Sequence, residues 1–188
     1  MTATLDVAAL VGSLRKESLT RKIVLALREV APPNLKLRLV EIGDLPLYDP
    51  DLDEGTPPAP WARLRDEVRP ADALLFATPE YNRSIPGPLK NALDVGSRPY
   101  GQSVWDAKPG AVISVSPGAL GAFGANHHLR QSLVFLNVPV MQQPEAYVGG
   151  AAQMFDSEGR LTKDDTGKFL AQFMARFANW IERNLKQV

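Results

Sequence analysis

Cysteine is absent from the chain, which excludes a disulfide framework, cysteine-ligated zinc and a cysteine nucleophile, and fits a reducing compartment. Histidine is scarce. The two present, His127 and His128, are neighbours and would lie on different faces of a helix, so no joint metal site is expected. No apolar run approaches the ~18 residues needed to span a bilayer, and residues 1–6 lack the positive stretch of a secretion signal. Without secretion, the Asn82-Arg83-Ser84 sequon is a coincidence. Net charge is missing as well: 21 basic residues balance 21 acidic ones, leaving no basic surface for a phosphate backbone. Together these absences predict a cytoplasmic protein with no nucleic-acid partner, no membrane insertion and no metal.

What is present is ordinary for a globular chain. Of 188 residues, 45% are hydrophobic and 22% charged, and the length suits one domain, residues 1–188. Residues 7–11 form a short continuous apolar run, as expected of a strand buried on both faces. Residues 18–30 place Leu19, Ile23, Ala26, Leu27 and Val30 on one helical face. Residues 35–42 alternate as a strand, and residues 43–60 form a polar loop with five prolines. The chain continues with a helix over 61–68, a strand over 71–77 and a helix from Pro86-Gly87-Pro88 to about Ser97. A strand over 111–115, a glycine turn and a helix over 126–136 follow. The last strand is expected at 138–141, with a possible continuation at 146–148, and a final helix presents Phe169, Leu170, Phe173, Met174, Phe177 and Ile181. This alternation predicts an α/β fold, a doubly wound five-stranded parallel sheet of order 2-1-3-4-5 with helices on both faces. Its ligand crevice should lie beyond the carboxyl ends of the strands.

Three segments should meet at that crevice. Residues 12–20, Gly-Ser-Leu-Arg-Lys-Glu-Ser-Leu-Thr, join a strand to a helix. Hydroxyls, backbone amides and a helix N-terminus suit a phosphate dianion, and Arg15 adds a charged fork; an ordinary capped loop with a solvated arginine accounts for the same residues. Neither GxGxxG nor a Walker lysine is present. Residues 78–87, Thr-Pro-Glu-Tyr-Asn-Arg-Ser-Ile-Pro-Gly, leave a buried strand for a proline-opened helix. Tyr81 offers a flat wall and Asn82, with backbone amides, offers donors, though proline and asparagine also serve turns. Glu80 reads better as a helix-start or interface carboxylate than as a catalytic one. Residues 116–124 form a glycine-rich turn that lets a ligand approach the backbone. Ser116 is no hydrolase nucleophile, because Ser114 stands where that elbow needs glycine. Asp49, Asp51 and Asp53 imitate a calcium loop, but Glu54 and Pro60 occupy its required glycine and glutamate positions. The acidic loop is expected to be a solvated surface.

The combination of Gly-Ser-Leu-Arg-x-x-Ser, Pro-Glu-Tyr-Asn-x-Ser-x-Pro-Gly-x-Leu-Lys-Asn-Ala-x-Asp and a glycine turn after the fourth strand resembles the NADPH-dependent FMN reductases. Within that family it resembles the bacterial chromate and quinone reductase branch. The resemblance extends over His128-Leu129-Arg130-Gln131 and Pro144-Glu145. It implies a flavodoxin-like fold, FMN as cofactor, NADPH or NADH as co-substrate and a homodimer or homotetramer with flavins near the subunit interfaces. Carried over by position, Ser13, Arg15, Ser18 and Thr20 would hold the phosphate. Pro79, Glu80, Tyr81 and Asn82 would line the ring, with Ser116 and Gly118 on its other side. Two positions depart from the family pattern: Val95, where an aromatic is usual, and Ala122, where a second consecutive glycine is common.

The activity this implies is ping-pong hydride transfer to small acceptors such as quinones, azo or nitro compounds and chromate-type oxyanions. No catalytic side chain is assigned, because the cofactor carries such chemistry. Arg83 and Arg98 would favour anionic acceptors or make subunit contacts. The alternatives are a flavodoxin-type electron-transfer protein without NAD(P)H turnover, and a flavin-binding scaffold or sensor. A neutral charge and the serine-arginine loop favour the enzyme over the acidic shuttles.

Overall fold

The computed structural model describes residues 4–186. Five strands, β1 (Leu5–Val11), β2 (Leu35–Val40), β3 (Ala73–Thr78), β4 (Gly110–Val115) and β5 (Ala146–Val148), form one sheet of order β2-β1-β3-β4-β5. Every neighbouring pair is parallel. The helices are α1 (Leu19–Glu29), α2 (Ala59–Val68), α3 (Gly87–Gly96), α4 (Phe123–Phe135) and α5 (Asp164–Leu185). The chain thus adopts the doubly wound architecture expected from its alternating pattern.

The period of two along each strand divides the interior into two cores. Val7, Ala9 and Val11 face Ile23 and Leu27 of α1 and Phe173, Phe177 and Ile181 of α5. Ala8 and Leu10, one residue out of phase, face Trp61 and Leu64 of α2, Leu89 and Leu93 of α3, and Leu129 and Leu133 of α4. Both faces of β1, β3 and β4 are therefore covered, which is why these strands read as unbroken apolar runs. Truncating a fully buried side chain such as Phe173 would cost about 3–5 kcal/mol. Among the described residues no helix is long and apolar enough to cross a membrane.

Four local expectations are corrected. Residues 138–141 form no strand: Val140 makes a single parallel bridge to Gly110, and the fifth strand is Ala146–Val148. Pro139 and Pro144 bracket the intervening stretch and lack the N–H that a ladder requires. Helix α2 starts at Ala59, with Pro60 in its first turn, where a missing amide costs nothing. Helix α4 starts three residues earlier than expected, at Phe123. The acidic loop is not wholly solvated, because the Asp53 side chain is only 7% exposed and pairs with the equally buried Arg65 through two bonds of 2.7 and 2.8 Å. Asn91 holds the same loop through the Tyr48 amide and the Pro46 carbonyl.

Candidate functional site

The loop after β1 is rich in donors that the fold leaves unused. Ser18 caps α1, its Oγ accepting from the Arg21 amide at 3.1 Å. Among the described residues the amides of Ser13 to Glu17, and of Leu19 and Thr20, donate to no other group of the chain. Ser13 and Thr20 are 8% and 2% exposed, and neither hydroxyl has a partner, yet no fully buried side-chain oxygen is unsatisfied. Both oxygens therefore open onto accessible surface. Arg15 is exposed and has no carboxylate within 4.0 Å among the described residues. The first turn of α1 contains no acid, so nothing opposes the positive end of its dipole. The structure places Ser13, Arg15, Ser18 and Thr20 together here, and unused amides, hydroxyls and a helix N-terminus suit an anion such as a phosphate.

The segment after β3 is a two-residue hairpin. Tyr81 and Ser84 exchange both backbone bonds at 3.0 Å, and Asn82 and Arg83 both take positive φ, 51° and 65°. This is the mirror-image turn that glycine usually occupies. It presents the Asn82 and Arg83 amides, which have no acceptor among the described residues, beside a Tyr81 ring that is 48% exposed. Pro79 links the hairpin to β3. Glu80 turns away from solvent: its Oε2 accepts from the Ala125 amide at 2.9 Å, and its side chain is 19% exposed. It thereby supplies the cap that α4 lacks, since Ala122 has no side-chain bond of its own. Gly124 leaves room for it, because a Cβ there would lie 3.0 Å from the Glu80 carboxylate.

The third segment closes the crevice from the β4 side. Ser116 Oγ accepts from the Gly118 amide at 3.0 Å, and the Gly118 carbonyl receives the Gly150 amide at 3.2 Å. Gly121 has φ +58°, and a Cβ there would meet the Tyr147 backbone at 2.7 Å. Ala122 also has positive φ, 61°, so at this position, where the family commonly has glycine, alanine holds the left-handed conformation. The other departure, Val95, is wholly buried and its carbonyl accepts from Arg65. That difference belongs to packing, in the region where Gly96 lies against the buried Trp105.

Two residues set aside in the sequence buttress the hairpin and the sheet edge. His128 Nδ1 lies 2.9 Å from Ser84 Oγ. His127 Nε2 lies 3.0 Å from the Tyr147 hydroxyl, and Phe123 packs against both rings. Burial, reinforced by the Glu145 carboxylate and opposed by Arg130, pushes the Tyr147 phenol up to about 12. It stays protonated at neutral pH. No local motif flagged this cluster, because its members lie on α4 and on β5. Arg98, expected either to favour anionic acceptors or to make a subunit contact, stands apart from the hairpin. It follows α3, whose ten residues carry the chain about 15 Å away from the crevice at 1.5 Å per residue. Arg83 is itself a central residue of the hairpin.

Comparison with known proteins places the chain among flavin-dependent reductases in sequence and fold. The family model described as NADPH-dependent FMN reductase matches residues 5–153. A quinone reductase of Pseudomonas putida is 61% identical over 184 residues, covering 98% of each chain. A 2-hydroxy-1,4-benzoquinone reductase from a Burkholderia species is 45% identical and covers 94% of this chain and 96% of its own. Among solved structures, the flavoenzyme NAD(P)H:(acceptor) oxidoreductase of Paracoccus denitrificans superposes with a TM-score of 0.90 at 44% identity, covering 96% and 99% of the two chains.

Proposed function

The chain belongs to the NADPH-dependent FMN reductase family, and from that premise we propose that it binds FMN and reduces quinones with NADPH or NADH. The observation that carries the proposal is the set of unused donors at residues 13–20. Seven free amides, two unpartnered hydroxyls and an unpaired Arg15 suit the terminal phosphate of FMN, for which charge-assisted bonds are the strongest available. Ser13, Arg15, Ser18 and Thr20 would hold that phosphate. Pro79, Tyr81 and Asn82 would line the ring, with Ser116 and Gly118 across from them, and Glu80 would act by fixing α4 against the hairpin.

Bound FMN would supply the two-electron chemistry. The chain's own part is positional. The Asn82 and Arg83 amides stand ready as preorganised donors toward negative charge, which is worth most where water is excluded. Tyr81 offers an aromatic wall, and the short crevice loops leave a face open, so donor and acceptor would use one site in turn. Azo and nitro compounds and chromate-type oxyanions are further acceptors under this proposal, with Arg83 favouring the anionic ones. The names of the relatives, quinone reductase and 2-hydroxy-1,4-benzoquinone reductase, support quinones first. A second copy of the chain is part of the proposal, supported by Val134 and Phe135 standing 78% and 83% exposed on α4.

Anaerobic mixing of flavin-loaded protein with excess NADPH, followed at the oxidised flavin's visible band, tests the reading. Bleaching within seconds and recovery on adding a quinone is the expected result. If dithionite bleaches the flavin but neither nicotinamide does over many minutes, the protein is an electron shuttle of the flavodoxin kind. Mass spectrometry of flavin released by heat should return FMN, and FAD would overturn that assignment.

A further inference from the structure

Two wholly buried polar side chains, Ser114 of β4 and Asn126 of α4, stand where an unpartnered hydroxyl or amide would be costly. Ser114 shares a strand face with Val112, which packs in one core with Leu129 and Leu133 of α4, so its side chain points toward that helix. Its one proton goes to the Gly121 carbonyl at 2.7 Å. The Ala146 carbonyl, 3.4 Å from the same oxygen, is served by the Asn126 amide nitrogen at 3.3 Å. That nitrogen also donates to Ser114 Oγ at 3.2 Å. Arg130 Nε donates to the Asn126 amide oxygen at 2.9 Å. Arginine can only donate, so the amide oxygen must face it and both amide hydrogens must face the sheet. The direction of every bond is thereby fixed: Arg130 to Asn126, Asn126 to Ser114, Ser114 to the Gly121 carbonyl.

We propose that Ser114, Asn126 and Arg130 are positioning residues for the flavin, a one-way relay of hydrogen bonds that holds the glycine turn as a preformed wall of the crevice; the inference rests on reading that turn as one side of the FMN site. The near end of the turn is fixed by the end of β5, because the Ser116 amide donates to the Val148 carbonyl at 2.9 Å and the Ser116 carbonyl accepts from the Ala151 amide at 3.1 Å. The far end has no such ladder. Among the described residues, the Ser114 bond alone ties residues 119–122 to the sheet. Ser116 and Gly118, which would face the ring, lie between these two anchors, so a displaced Gly121 moves the wall. Bonds that all run one way strengthen one another, and the guanidinium at the head of the relay adds to that polarisation.

Dilution of flavin-loaded protein, followed by the fluorescence that released FMN regains, measures the affinity, and visible circular dichroism of the bound flavin reports its surroundings. Ser114→Ala should weaken FMN binding about three- to tenfold, the range expected for one neutral hydrogen bond, and should alter the dichroic band. Ser114→Thr keeps the hydroxyl and should restore both affinity and band. Asn126→Asp changes almost no volume, but a carboxylate kept ionised by Arg130 has no proton to donate. Ser114 then turns its own proton to the carboxylate and releases Gly121, so this variant should match Ser114→Ala. If Ser114→Ala does not fold, Asn126→Asp decides alone. Lowered thermal midpoints with unchanged FMN affinity and unchanged dichroism overturn the proposal and leave the relay as core packing. An effect in Asn126→Asp without one in folded Ser114→Ala overturns it as well, since the last link would then be idle. Failure of the parent reading looks different, because then the wild-type protein itself retains no FMN.

Discussion

Two single residues carry consequences well beyond their own contacts. Among the described residues Arg15 has no partner, so its guanidinium is available to a phosphate. Replacing it with alanine should weaken FMN binding about ten- to a hundredfold, since a hydrogen bond to a charged group is worth ~1.5–3 kcal/mol. Fluorescence titration of flavin-free protein measures this, and an unchanged affinity would remove Arg15 from the site. Asp53 is the opposite case, a charge wholly spent within the fold. Its hydrogen bonds from Arg65 hold the carboxyl below the usual carboxylate range, against the opposing pull of burial. The stabilisation it gives is therefore complete above the unfolded value near pH ~4 and is lost as pH falls through the depressed folded value. Asp53→Asn should cost about 3–5 kcal/mol at pH 7, because it strands a buried guanidinium. Urea midpoints should show the gap between wild type and variant narrowing as the pH is lowered toward ~3. A gap independent of pH would contradict this account.

At the scale of elements, the junction between the β3 hairpin and α4 decides the shape of the crevice. Helix α4 opens on a left-handed Ala122 without a cap of its own, and Glu80 reaches over from another segment to bond its third amide. One carboxylate thus answers the dipole of α4 and anchors the turn that presents Tyr81, Asn82 and Arg83. Glu80→Ala should lower stability by about 1–2 kcal/mol, the usual worth of a helix cap. It should also weaken flavin binding, because among the described residues the hairpin then keeps one hydrogen bond to α4, between His128 and Ser84. A loss of stability with unchanged flavin affinity would confine Glu80 to capping. The sequence suggested the helix-start role for Glu80 but could not say which helix, since the partner lies 45 positions away.

On the scale of the whole molecule, exposed apolar surface points beyond the single chain. Tyr100 is 91% exposed, and Phe123, Val134 and Phe135 along α4 range from 51% to 83%. Large side chains in water at this density mark interaction surfaces more often than chance. Light scattering at micromolar concentration should give at least twice the 20.5 kDa chain mass, and Phe135→Glu should shift the distribution toward the monomer. A wild-type mass of 20.5 kDa would contradict the proposed dimer.

The sequence by itself determined the sheet and its order, because strands buried on both faces must be apolar throughout and the helices between them carry a 3.6-residue stripe. It also brought Ser13, Arg15, Ser18 and Thr20 onto one loop, since they lie within eight positions and local chemistry suffices to gather them. Its errors share one origin. The last strand and the solvated acidic loop were both judged from composition over a few residues. Each was overruled by an interruption or a partner that no short window contains: a chain path broken by Pro139 and Pro144, and the Arg65 guanidinium. Tertiary structure alone decided that Glu80 serves α4 and that Asn82 and Arg83 sit in a left-handed turn. The physical reason is that hydrogen-bond pairing is set by the sheet's crossovers, which bring together residues that the sequence keeps far apart.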